Sequence, residues 1–126
     1  MDERPLALIV EDNEDLSFIF GEALREAGYQ IELIRDGQEA ASYLETNHPL
    51  VVILDLHLPG VAGTEILKQI RTSDHLKDVR VVVTTADARL AEQLSQADFV
   101  LIKPISFSLL RDLTSRLSEG NRQSLK

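Results

Sequence analysis

Asp55 closes the apolar run Val51 to Leu54, and it is one of several polar residues that stand where an apolar run ends. Glu11 and Asp12 follow Leu6 to Val10, Thr84 and Thr85 follow Val81 to Val83, and Lys103, with Pro104 after it, follows Phe99 to Ile102. A single aspartate at such a place would only terminate a strand or cap a turn, so its meaning depends on its company. Three carboxylates brought together repel one another and raise one another's pKa unless a cation neutralises them. Mg2+ is the natural cation, being held by one or two carboxylates with water and phosphate completing its octahedron. A lysine ammonium suits a phosphoryl oxygen as a point charge, and a threonine hydroxyl can donate to another. Acid, metal, hydroxyl and ammonium together suit phosphoryl transfer to an aspartate, where catalysis is mostly positioning and charge neutralisation.

That chemistry needs elements that bring four run-ends together. Val51 to Leu54 shows no polar alternation, the pattern of a central strand covered on both faces, and Leu58-Pro59-Gly60 forces a turn after Asp55. Leu6 to Val10 reads as a first strand; Leu16, Ile19, Phe20, Ala23, Leu24 and Ala27 then recur at helical spacing until Gly28 stops them. Ile31 to Ile34 reads as a second strand, Asp36-Gly37 as a turn, and Ala40, Ala41 and Leu44 as the inner stripe of a helix ending near Asn47-His48-Pro49. Gly63 to Ile70 is a third helix, Val81 to Val83 a fourth strand, Leu90 to Leu94 a weaker helical segment, and Phe99 to Ile102 a fifth strand. Leu109, Leu110, Leu113 and Leu117 mark a last helix; from Glu119 the pattern lapses, so the domain is read as 1–118, with 119–126 a tail or the start of a linker.

Five strands alternating with five helices make an α/β chain, a single doubly wound (βα)5 domain with a five-stranded parallel sheet and right-handed crossovers. Tight hairpin signals for an antiparallel sheet are missing. In the flavodoxin-like order 2-1-3-4-5, the ends of strands one and three adjoin at the switch point, which sets Glu11 and Asp12 beside Asp55.

Composition bounds the alternatives. The 126 residues fit one domain with a sizeable core, and without cysteine there are no disulfides, thiolate metal sites or cysteine nucleophiles. No apolar run approaches the ~20 residues of a membrane span, and no signal peptide is visible, so a cytoplasmic domain that does not bind membrane is expected. The formal charge of −8 opposes non-specific nucleic-acid binding and favours a cation or a basic partner. His48 and His75 sit in polar connections and carry no signal, and Glu14 and Asp15 suit a helix N-terminus.

The chain resembles the response-regulator receiver (CheY-like) family over nearly its whole length. The residues that carry this are the acidic pair Glu11-Asp12, then Asp55 with Leu58, Pro59 and Gly63, then Thr85-Ala86, then Lys103-Pro104, in family order and spacing. The resemblance implies a signalling domain, not an enzyme in the ordinary sense. Asp55 would take a phosphoryl group from a histidine kinase or histidine phosphotransferase. Asp12 would bind Mg2+ directly together with Asp55, Glu11 would act through water, and the backbone carbonyl of His57 would complete the protein ligands. Lys103 would hold a phosphoryl oxygen, and Thr85 would swing towards it; Ala86 favours Thr85 over Thr84 for that role. The Lys103–Pro104 bond would be cis, and the output would be a switched protein-interaction surface, a homodimer among the forms it could take.

Several positions depart from the family pattern: Ala62 before the loop glycine, Gln96 before Ala97-Asp98, and Val100 where an aromatic is frequent. Thr85 and Lys103 are 18 positions apart, roughly one helical turn (~3.6 residues) short. Valine is stiff at χ1, so signalling through an aromatic swing is not expected, and Phe99 should lie on the face of Leu101 and Lys103. These changes leave open a phosphorylation-independent receiver-like adaptor. An aspartate-nucleophile phosphatase of the haloacid-dehalogenase type would need a second acid at His57, and a flavodoxin-type cofactor binder would need a phosphate loop where Glu11-Asp12 would repel phosphate.

Overall fold

The computed structural model describes the backbone of residues 2–124 and the side chains of residues 2–119. Strands β1 (Leu6–Val10), β2 (Gln30–Ile34), β3 (Val51–Asp55), β4 (Arg80–Thr85) and β5 (Phe99–Ile102) form one parallel sheet in the order β2-β1-β3-β4-β5. Helices α1 (Glu14–Glu26), α2 (Gly37–Thr46), α3 (Gly63–Thr72) and α4 (Phe107–Ser124) cover its two faces. β3 is buried at every position, as an unalternating apolar run between two helical layers requires.

The alternation of each strand sorts the core into two halves. Leu8, Val10, Val52, Leu54, Val81 and Val83 pack with Ala40 and Leu44 of α2 and Ile66, Leu67 and Ile70 of α3. Ala7, Ile9, Val51, Ile53 and Val82 pack with Phe20, Ala23 and Leu24 of α1 and Leu110 of α4. Each large side chain fully buried in these layers contributes about 1.5–3 kcal/mol. Asn13 starts α1, its Oδ1 accepting the Leu16 N–H at 2.9 Å, and Gly28 ends the following turn with φ +102°, a conformation other residues resist.

The fourth helical segment departs most from the sequence pattern. Ala88–Gln93 is a 3-10 stretch, not an α-helix, and none of its residues is buried. Leu90 within it and Leu94 just after it still pack on the α2 and α3 side of the core. A second 3-10 turn, Asp74–Leu76, which the sequence pattern does not announce, leads into β4. α4 continues to Ser124, past the point at 118 where apolar periodicity lapses; residues 119–124 are thus helical, and residues 125–126 lie outside the described residues. Among the described residues no helix is long and apolar enough to cross a membrane.

Candidate functional site

The sheet order places the carboxyl ends of β1, β3, β4 and β5 along one edge, and the register aligns them. Val10 pairs with Leu54, Asp55 with Thr84, and Thr85 with Ile102. The residues just past those pairs are Glu11, Leu56, Ala86 and Lys103. Backbone bonds hold the ends in place: the Glu11 N–H donates to the Ile34 carbonyl, Leu56 N–H to the Thr84 carbonyl and Lys103 N–H to the Thr85 carbonyl, at 3.1, 3.2 and 2.8 Å.

Glu11, Asp12 and Asp55 can each offer a carboxylate oxygen such that all three lie within 4.8 Å of one another. Asp55 and Glu11 are buried and Asp12 is exposed, so the cluster opens to solvent on the Asp12 side. Lys103 Nζ donates to Glu11 Oε1 at 2.9 Å and lies 3.5 Å from Asp55 Oδ1. The ammonium is thus the cation of the cluster and bridges two of its acids. Burial pushes the Glu11 carboxyl above its ordinary range; the Lys103 and Asn13 hydrogen bonds oppose that, and the Asp55 charge adds to it. Asp55 Oδ1 also accepts the His57 N–H at 3.2 Å, while the His57 residue is exposed. The Lys103–Pro104 bond is cis.

Thr85 is fully buried, and its Oγ1 accepts the Asp87 N–H at 3.1 Å, tying the loop after β4 to the strand end. Asp87 in turn caps the 3-10 stretch through the Arg89 N–H at 3.0 Å and holds the Arg89 guanidinium. Those Arg89 bonds keep its carboxyl below the usual carboxylate range, with a smaller contribution from His57 across the opening. Val100 packs on the α2 and α3 side and Leu101 on the other; Phe99, two residues before Leu101, is exposed at the sheet edge.

Two further residues belong to the site, Arg35 without a sequence signal of its own and Thr84, which the sequence offers beside Thr85. Arg35, at the end of the edge strand, donates to the Asp12 carbonyl at 3.3 Å; the order 2-1-3 puts its strand beside Asp12, so topology could have found it. Thr84 is the direct cross-strand neighbour of Asp55. Only the register shows this.

This edge and this fold define a receiver. The family model described as response regulator receiver domain matches residues 7–115, and the chain belongs to that family. It is 36% identical over 126 residues to the probable methanogenesis regulatory protein FilR2 of Methanothrix harundinacea, covering 90% of this chain and 81% of that protein. It is similar to the receiver domain of a signal transduction histidine kinase from Syntrophus aciditrophicus, with 29% identity and a TM-score of 0.81 over 92% of this chain and 91% of the other. The receiver domain of the sensor histidine kinase PA1611 from Pseudomonas aeruginosa PAO1, whose structure has a magnesium ion coordinated in its active-site cleft, shares the fold with a TM-score of 0.81 and 24% identity, over 92% and 98% of the two chains. As a receiver the chain is a signalling domain and not a classical enzyme.

Proposed function

We propose that this receiver is a phosphoacceptor of a two-component phosphorelay. Asp55 takes a phosphoryl group from the phosphohistidine of a histidine kinase or histidine phosphotransferase, and the modification switches a surface that binds a downstream protein, an output domain or a second copy. The transfer breaks the donor's P–N bond and forms a P–O bond to the Asp55 carboxylate, with the freed imidazole taking up a proton. The observation that carries this reading is a buried aspartate beside an ammonium in a three-carboxylate cluster.

The donor set fits a hard divalent cation: oxygen atoms only, on the solvent-open side of the cluster. Asp12 and Asp55 would hold Mg2+, Glu11 through water, with the His57 carbonyl completing the protein ligands. When bound, the ion supplies charge neutralisation for the carboxylates and the incoming phosphoryl oxygens. Lys103 has a definite task of its own. It reaches both Glu11 and Asp55, so it can follow charge from the carboxylates to the phosphoryl group. Thr85, whose hydroxyl oxygen accepts from the next loop, gives that loop a link to whatever the hydroxyl donates to. Partners of this kind place the domain in the cytoplasm, and neither nucleic acid nor a membrane is needed for this domain's own action.

The test is incubation with acetyl phosphate and Mg2+, read by intact mass. One phosphate is expected on the wild-type chain and none on Asp55→Asn, with chelation of the metal abolishing incorporation. Phosphate persisting on Asp55→Asn would remove Asp55 from the role. The open 3-10 stretch favours a second reading, a receiver-like adaptor that binds its partner without modification. A wild-type chain that accepts no phosphate yet still binds that partner would establish it.

A further inference from the structure

We infer that Thr84 is a positioning residue of the phosphoacceptor site, its hydroxyl donating to the Asp55 carboxyl group and holding it square to the incoming phosphoryl group. The inference rests on the reading of Asp55 as phosphoacceptor and adds a residue to it.

Register and face place Thr84 there. Along β4, Val81 and Val83 pack on the α2 and α3 side, whereas Val82 packs with Ile9 and Ile53 on the opposite face. Alternate strand residues share a face, so Thr84 lies on the face of Val82. By the same count Glu11 follows Ile9, Asp55 follows Ile53 and Lys103 follows Leu101. Four polar side chains therefore end one face of the sheet, with Thr84 paired directly to Asp55, one strand spacing of about 4.8 Å away.

The inward positions that precede it on this strand, Val81 to Val83, are valines, the isosteres of threonine, so packing alone asks for no hydroxyl at 84. Yet the residue is wholly buried, and among the described residues Thr84 Oγ1 is the buried side-chain polar atom without a hydrogen-bond partner. Elsewhere in the fold the need is met locally: the buried Thr114 hydroxyl donates back to the Leu110 carbonyl of its own helix at 2.8 Å. In a central strand the carbonyls serve the ladder, and an orphaned hydroxyl calls for an explanation. Asp55 has the matching capacity. Its Oδ1 takes the His57 N–H and faces Lys103, and among the described residues its Oδ2 takes no hydrogen bond. The inferred bond is made by rotation of Thr84 about χ1 towards its cross-strand partner Asp55. Thr85 cannot substitute, since it sits on the opposite face by the same alternation and serves the Asp87 loop.

Phosphorylation from acetyl phosphate at saturating Mg2+ is compared for wild type, Thr84→Val, Thr84→Ser and Asp55→Asn, with urea unfolding of each. Thr84→Val keeps the shape, so it should still unfold in one cooperative transition. Its maximal phosphorylation rate should fall at least about tenfold, the worth of one hydrogen bond to a charged group, with half-saturating donor and Mg2+ concentrations unchanged. Thr84→Ser keeps the hydroxyl and should restore most of the rate. A Thr84→Val chain phosphorylated at the wild-type rate, or a serine variant as slow as the valine one, would overturn the inference alone. A wild-type chain that takes no phosphate at Asp55 would instead overturn the underlying reading.

Discussion

Lys103 and Asp87 are two charged residues at the same opening with opposite freedom. Lys103 is shared between Glu11 and Asp55 within the cluster. Asp87 is held by its neighbour Arg89, through one backbone and two side-chain bonds, in an exposed position where such a pair contributes little to stability. A carboxylate two residues after Thr85 and near His57 can orient a water against the phosphorylated Asp55, but only with an oxygen that Arg89 does not occupy. Arg89→Ala should therefore shorten the half-life of the phosphorylated chain by a few-fold, and Asp87→Ala should lengthen it by a similar factor, followed by loss of the phosphate by mass over time. Equal half-lives in all three chains would leave Asp87 as a cap and nothing more. The aspartates and lysine of this site were legible because each ends an apolar run, a signal that needs no coordinates. Thr84 was legible at the same strand end but ranked behind Thr85, because Thr85-Ala86 carries the motif and the hydroxyl's isolation is a property of packing. Arg35 was hidden: it is one cation at the end of an edge strand, and only its bond to the Asp12 carbonyl distinguishes it.

At the scale of elements, the strands were readable within a residue or two, except that β4 reaches Thr85 and so contains both threonines. A buried parallel strand writes itself as an unbroken apolar run. The 3-10 stretch after β4 was less readable, since Leu90 and Leu94 are spaced as on an α-helix and do pack on the core, while the segment that carries Leu90 winds as a 3-10 turn. Helix α3 shows how closely an element must seat against the site. An added Cβ on Gly63 would lie 2.5 Å from the Asp55 carbonyl oxygen and 2.8 Å from Leu56 Cα, backbone atoms that cannot turn aside. Gly63→Ala must push the start of α3 off the end of β3, at a cost of about 1–3 kcal/mol by analogy with overpacked cores. Asp55 should be displaced with it. We expect a lower urea midpoint together with slower phosphorylation, whereas a variant of unchanged stability would mean that the loop from Leu56 to Ala62 absorbs the methyl group.

Across the whole molecule, the two halves of the core are separated by the sheet, and the α1 and α4 half is closed by a polar tie. Tyr29 is fully buried after α1, and its phenol donates to the Thr114 carbonyl of α4 at 2.8 Å. Burial pushes that phenol up to about 12 from an ordinary value of 10.0. The sign follows from linkage: a group whose pKa is raised by folding adds stability that is fully present below its unfolded value and is lost as pH climbs towards the folded one. Between pH 10 and 12 the unfolded chain releases the Tyr29 proton while the folded chain keeps it, which removes about 2–3 kcal/mol of stability by the upper end. Tyr29→Phe forfeits the hydrogen bond, about 1 kcal/mol, but has no proton to release. Wild type should accordingly be the more stable chain at pH 7 and the less stable one near pH 12, with the two urea-midpoint curves crossing in between. Because Tyr43, whose phenol is also raised by burial, is present in both chains, the difference between the curves isolates Tyr29. Parallel curves would show that water reaches the phenol and that the tie between α1 and α4 is looser than its geometry.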